Sequence, residues 1–163
     1  MSIEKIKALL LTLVTLHQEL IAISNQKTEA VKSGNLEKLQ QVLVNERKQI
    51  RKIEKAEEGR QLVVADWFES QRLNIEPTIT RLVEAINCDE TRKELTAATN
   101  QLTEAITTLK QQEQLNMALI NQSMQFIQLS MDLLNPSLSQ MNYGGSATES
   151  TGSIKRSVFD SKA

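Results

Sequence analysis

Ile6, Leu9, Leu13, Leu16, Leu20 and Ile23 recur at alternating intervals of three and four, the spacing that lays side chains along one seam between packed helices. The same rhythm returns further on, and between Met1 and Leu134 only Gly34, Gly59 and Pro77 are of helix-breaking type. A chain offered so few turns has to form few, long helices. Its 163 residues, 40% of them hydrophobic, are enough to bury a core. Trp67, Phe68, Phe126, Tyr143 and Phe159 are the only aromatic residues, so that core is expected to be aliphatic.

Lys27 and Ala30 continue the first seam more weakly, and Ser33-Gly34-Asn35 then ends the helix. Glycine takes the left-handed C-terminal conformation and Asn35 caps the next helix, a tight reversal that makes the first two helices antiparallel neighbours. Leu36, Leu39, Leu43, Ile50 and Ile53 repeat the pattern, which reaches Val64 and Trp67 in phase. Gly59 therefore lies inside a continuing helix, at a cost of about 1 kcal/mol relative to alanine. Pro77 is the real interruption, and a short helix follows it. Asn87-Cys88-Asp89-Glu90 reads as the start of the last helix, with Glu90 three residues after a candidate Asn87 cap. The expected fold is all-α: an elongated antiparallel bundle of three long helices plus a short one, with helices at about 2–33, 36–74, 77–86 and 89–134. Residues 1–134 form that bundle, and 135–163, rich in Ser, Gly, Thr and Asn, form a flexible tail expected to be disordered alone.

The last helix has a seam of Leu95, Ala98, Leu102, Ala105 and Leu109, after which polar Gln112 and Asn116 occupy the next seam positions. A new seam begins one residue later with Met117, Ile120, Met124, Ile127, Met131 and Leu134. Leu115, Leu119, Phe126, Leu129 and Leu133 make a second apolar set, centred roughly 140° away at 100° per residue. A bundle partner can cover one stripe and the other then meets a further helix, another subunit or a client; the alternative is that both are core, with the Pro77 to Ile86 helix folded over this end. Methionines add adaptability, since unbranched thioethers repack around varied surfaces. The candidate partner-binding residues are Leu115, Met117, Leu119, Ile120, Met124, Phe126, Ile127, Met131 and Leu134.

No chemistry is legible. The net charge of −1 comes from interspersed acids and bases, with no basic stripe for a nucleic acid. A lone Cys88 forms no intrachain disulfide and no cysteine-based metal site, and a lone His17 leaves no histidine pair. There is no Gly-rich phosphate loop, nucleophile elbow or dinucleotide fingerprint. Catalytic, cofactor-binding and metal-binding residues are therefore expected to be none. Lys5 and Lys7 ahead of Ala8–Leu16 faintly imitate a signal peptide, but Glu4, His17, Gln18 and Glu19 spoil it. No uninterrupted apolar run reaches the roughly 18 to 20 residues of a membrane span, so a cytoplasmic protein without stable membrane insertion is expected.

The chain resembles the FlgN family of flagellar export chaperones over essentially its whole length. The resemblance rests on the amphipathic first helix with its turn Lys32-Ser33-Gly34-Asn35-Leu36-Glu37-Lys38-Leu39, on the long last helix closing with Asp132-Leu133-Leu134-Asn135-Pro136, and on a Gly/Ser tail with Tyr143-Gly144 that ends Phe159-Asp160-Ser161-Lys162-Ala163. It implies a non-enzymatic chaperone of type III export that binds the hook-filament junction proteins, FlgK and FlgL, through its C-terminal helix, with the export apparatus as a further partner. The seams also accommodate a small homo-oligomer. The alternative reading is a structural or secreted coiled-coil subunit that self-assembles through its heptads.

Overall fold

The computed structural model describes residues 2–141, with side chains described for 3–134. Its elements in chain order are α1 (Ser2–Lys32), α2 (Leu36–Ser70), α3 (Ile79–Ala85) and α4 (Asp89–Met141), with no strand among the described residues. The all-α expectation holds. The Tyr143-Gly144 step, the Phe159 to Ala163 ending and the flexibility expected of the tail from residue 142 onward lie outside the described residues.

The first reversal forms as its sequence requires. Gly34 sits at φ +64°, its amide donating to the Val31 carbonyl at 3.2 Å while the Asn35 amide reaches Ala30 at 3.1 Å, the paired bonds of a Schellman motif. Asn35 Oδ1 then accepts from the Lys38 amide at 3.0 Å, capping α2. The end of α2 uses the same device without glycine. Arg72 takes φ 55°, and the Arg72 and Leu73 amides reach the Glu69 and Phe68 carbonyls at 2.9 and 3.1 Å. That closure stops α2 at Ser70, four residues before the expected 74. Gly59 lies inside α2 as expected.

Thr78 caps α3 through a bond accepted from the Arg81 amide at 3.3 Å. At the start of α4 the Arg92 amide donates to the Cys88 carbonyl at 2.9 Å, which puts the capping position at Cys88 rather than Asn87. At its other end α4 passes Leu134, the expected terminus, and continues through Asn135 and Pro136 to Met141. A proline withdraws a single amide from the ladder, and the flanking leucines and methionine are good helix formers.

The chain divides into two units, Met1–Met124 and Gln125–Ala163. In the first, Ile6 and Leu10 of α1, Val64, Trp67 and Phe68 of α2, Leu82 and Ile86, and Leu95 and Ala98 of α4 form one apolar cluster. Trp67 and Phe68 meet edge to face at 5.2 Å, an orientation favoured by the ring quadrupoles. The helix directions follow from the cross-contacts. Gln49 Nε2 bonds to the Leu16 carbonyl and Lys27 pairs with Glu46, so α2 runs antiparallel to α1. Lys7 pairs with Glu94 at 2.6 Å and Ser24 bonds to Glu113, so α4 runs parallel to α1. α1 is thus the shared helix. By length and hydropathy it matches a membrane-spanning segment, a match that a run-length count misses. Its apolar side chains Ile6, Leu10, Leu13, Val14 and Leu20 are buried in the bundle, while 28% of the apolar window as a whole is buried.

In the second unit the described part is the last stretch of α4. Among its side chains from Gln125 to Leu134, all are exposed except Ser130, which is half-buried.

Candidate partner-binding surface

The apolar core of the first unit gives way to a polar cluster where the helices continue. Ser24, Lys27 and Thr28 of α1 and Asn116 of α4 are buried, and Glu46 of α2 and Glu113 of α4 close over them. Lys27 Nζ lies 2.5 Å from Glu46 and 2.8 Å from Glu113, tying all three long helices together. Asn116 Nδ2 donates to the Ser24 carbonyl and hydroxyl at 3.0 and 2.9 Å, and the Ser24 hydroxyl donates to Glu113. The Thr28 hydroxyl donates to Asn116 Oδ1 and accepts from Gln112 Nε2, each at 2.5 Å. Among the described residues no buried side-chain polar atom lacks a partner, the condition under which such a network specifies one packing rather than weakening it.

Burial opposes the Lys27 charge, but the hydrogen bonds to Glu113 and Glu46 outweigh it and hold the pKa above the ordinary lysine value. Burial likewise pushes the Glu113 carboxyl up, yet its bonds from Lys27 and Ser24 leave it below the usual carboxylate range. The cluster corrects the reading of the last helix as one whose seam stops at Gln112. Gln112 and Asn116 are the continuing seam, facing polar positions on α1. The signal was present in the sequence as weakening register on the first helix and polar seam positions on the last.

Within the first unit Asn116 occupies the buried face of α4, and the apolar residues beside it in each stripe, Leu115 and Met117, are exposed. Of the nine candidate residues, Leu119 and Ile120 are half-buried. Leu115, Met117, Met124, Phe126, Ile127, Met131 and Leu134 are between 46% and 70% exposed. Leu129 and Leu133, members of the Leu/Phe set outside the nine, are exposed to the same degree. From Asn121 to Leu134 no described side chain is buried. Extended exposed apolar surface is the kind of feature by which contact sites are recognised.

Beyond this surface, an open cleft of about 690 Å³ lies between α2 and the segment that enters α3, beside Leu62, Ala65, Pro77 and Ile79. A cleft of about 340 Å³ lies between α1, α2 and α4 beside His17, Glu57 and Arg60. His17 Nδ1 lies 2.7 Å from the Leu13 carbonyl, and the Arg60 guanidinium holds both Glu57 oxygens, depressing the Glu57 pKa. Cys88 is exposed, and hydrogen bonds from Thr91 and the Glu90 amide lower its thiol pKa. Among the described residues no three metal-ligating side chains converge.

Comparison with known proteins places this architecture. The chain is 32% identical to the uncharacterized protein YvyG of Bacillus subtilis (strain 168) over 164 residues, which cover the whole of both chains. No solved structure matches it. The model of the FlgN protein family matches residues 1–151. A bundle that uses its buried charges structurally and leaves residues 121–134 of its last helix without a buried side chain suits a protein that binds other proteins, and this chain belongs to the FlgN family of flagellar export chaperones.

Proposed function

We propose that this chain acts in the cytoplasm as the export chaperone of the hook-filament junction proteins of the FlgK and FlgL type, and that it holds them through the apolar surface of α4. The observation that carries the reading is the row of exposed aliphatic and aromatic side chains from Leu115 to Leu134. A client with an amphipathic, self-associating helix has its apolar face covered by a helix-in-groove contact until delivery. Burying five or six such side chains at roughly 1.5 to 3 kcal/mol each gives a gross gain of about 10 kcal/mol or more. The costs of association reduce it to the range of micromolar to nanomolar binding. Binding of that strength is reversible without chemistry, so the client can be handed to the export apparatus.

The test is calorimetry with purified FlgK- and FlgL-type proteins of the same bacterium. The intact chain is expected to bind them, and the double variant Phe126→Asp/Ile127→Asp, altered in both stripes, is expected to lose at least about 30-fold in affinity, or 2 kcal/mol, with helicity unchanged by circular dichroism. Equal affinity of the variant would remove α4 from the client contact.

A further inference from the structure

The two stripes of α4 differ in a way that assigns them different occupants. Met117, Ile120, Met124, Ile127 and Met131 follow the three-four alternation without a gap, as the a and d positions of a coiled coil do. In that frame the flanking e positions are Asn121 and Gln128 and the g positions Asn116, Ser123 and Ser130, of which Asn116 is already buried against α1. None carries a charge, so two copies of this helix meet along the seam with no like-charge repulsion. The Leu/Phe stripe is broken by Gln122 and carries Phe126, which is 70% exposed, an aromatic anchor of the kind that dominates partner interfaces.

We infer that the Met/Ile seam pairs this chain with a second copy of itself, leaving the Leu/Phe stripe for the client. A seam of identical chains supplies its own complement. At about 60 to 120 Å² of apolar surface per aliphatic side chain, the four exposed residues of each copy, Met117, Met124, Ile127 and Met131, bury roughly 480 to 960 Å² in total, in the range of weak, transient interfaces. The pairing is therefore reversible and concentration-dependent. Stripes some 140° apart allow a paired chain to hold client as well. The pairing stands independently of the proposed function; only the role of the second stripe rests on it.

Light scattering on the full chain, from low micromolar to submillimolar concentration, tests the seam. The wild-type mass is expected to rise above the monomer, and Met124→Lys/Ile127→Lys to stay monomeric with unchanged helicity. Mixing that variant with Met124→Glu/Ile127→Glu should restore the pairing. Wild-type chain that is monomeric throughout, or a lysine variant that associates like wild type, overturns the pairing. In calorimetry with the FlgL-type protein, the lysine variant is expected to bind within about threefold of wild type, and Phe126→Lys/Leu129→Lys to lose about 30-fold or more while still self-associating. Loss of client by the Met/Ile variant alone overturns the division between stripes. If wild type self-associates but binds no junction protein, the pairing stands and the client reading falls.

Discussion

Arg72 shows how much one residue's backbone decides. It holds the left-handed position that closes α2, a conformation that costs a side-chain-bearing residue about 1 to 2 kcal/mol and glycine almost nothing. Its counterpart at the end of α1 is Gly34, which is why that first turn was legible in the sequence and this one was not: glycine announces the conformation and arginine hides it. Arg72→Gly is expected to stabilise the protein by about 0.5 to 1 kcal/mol, the gain being trimmed by the freer unfolded chain. Urea denaturation measures it, and a destabilised variant would mean that the Arg72 side chain contributes more than its backbone costs. Asn116 was misread for a related reason. Polarity at a seam position marks the end of a seam only if the facing helix is apolar there, and the facing residues are Ser24 and Thr28.

At the scale of elements, helix number and order were readable because three-four spacing and two breakers, Gly34 and Pro77, leave few arrangements. The last helix was harder. Its two stripes suggested that one must be core, and single-chain periodicity does not say what lies opposite. The structure leaves both uncovered, so from Asn121 onward α4 has intrahelical hydrogen bonds and no buried side chain among those described. A helix without tertiary support is marginal in water. Hydrogen exchange should separate the two parts of α4. Amides from Leu95 to Asn116 are expected to exchange orders of magnitude more slowly than those from Asn121 to Leu134. Bound junction protein is expected to slow the second group selectively. Uniform protection along α4 in the free chain at high dilution would contradict this account.

For the molecule as a whole, stability at extremes of pH depends on the Lys27 triad. Glu113 has a lowered pKa in the fold, so its contribution is complete above its ordinary value of 4.5 and disappears as pH falls through the folded value. Lys27 has a raised pKa, so its contribution is complete below 10.5 and is lost as pH rises through the folded value. The cluster is at full strength between those limits. Acid unfolding followed by circular dichroism is expected to be shallower in Glu113→Gln, which has no carboxyl to protonate, and less stable than wild type at neutral pH. An identical acid limb in the two proteins would take Glu113 out of the linkage.

The central position of α1 also has a bearing on biosynthesis. Made before α2 and α4, α1 emerges with the hydropathy of a membrane span. α2 follows at once through the Gly34 turn and masks one side, but the residues of α4 that mask the other, Leu95 to Asn116, are made some sixty to ninety residues later. For that interval the nascent chain shows an uncovered apolar flank, and chains truncated before α4 are expected to aggregate more readily than the full chain.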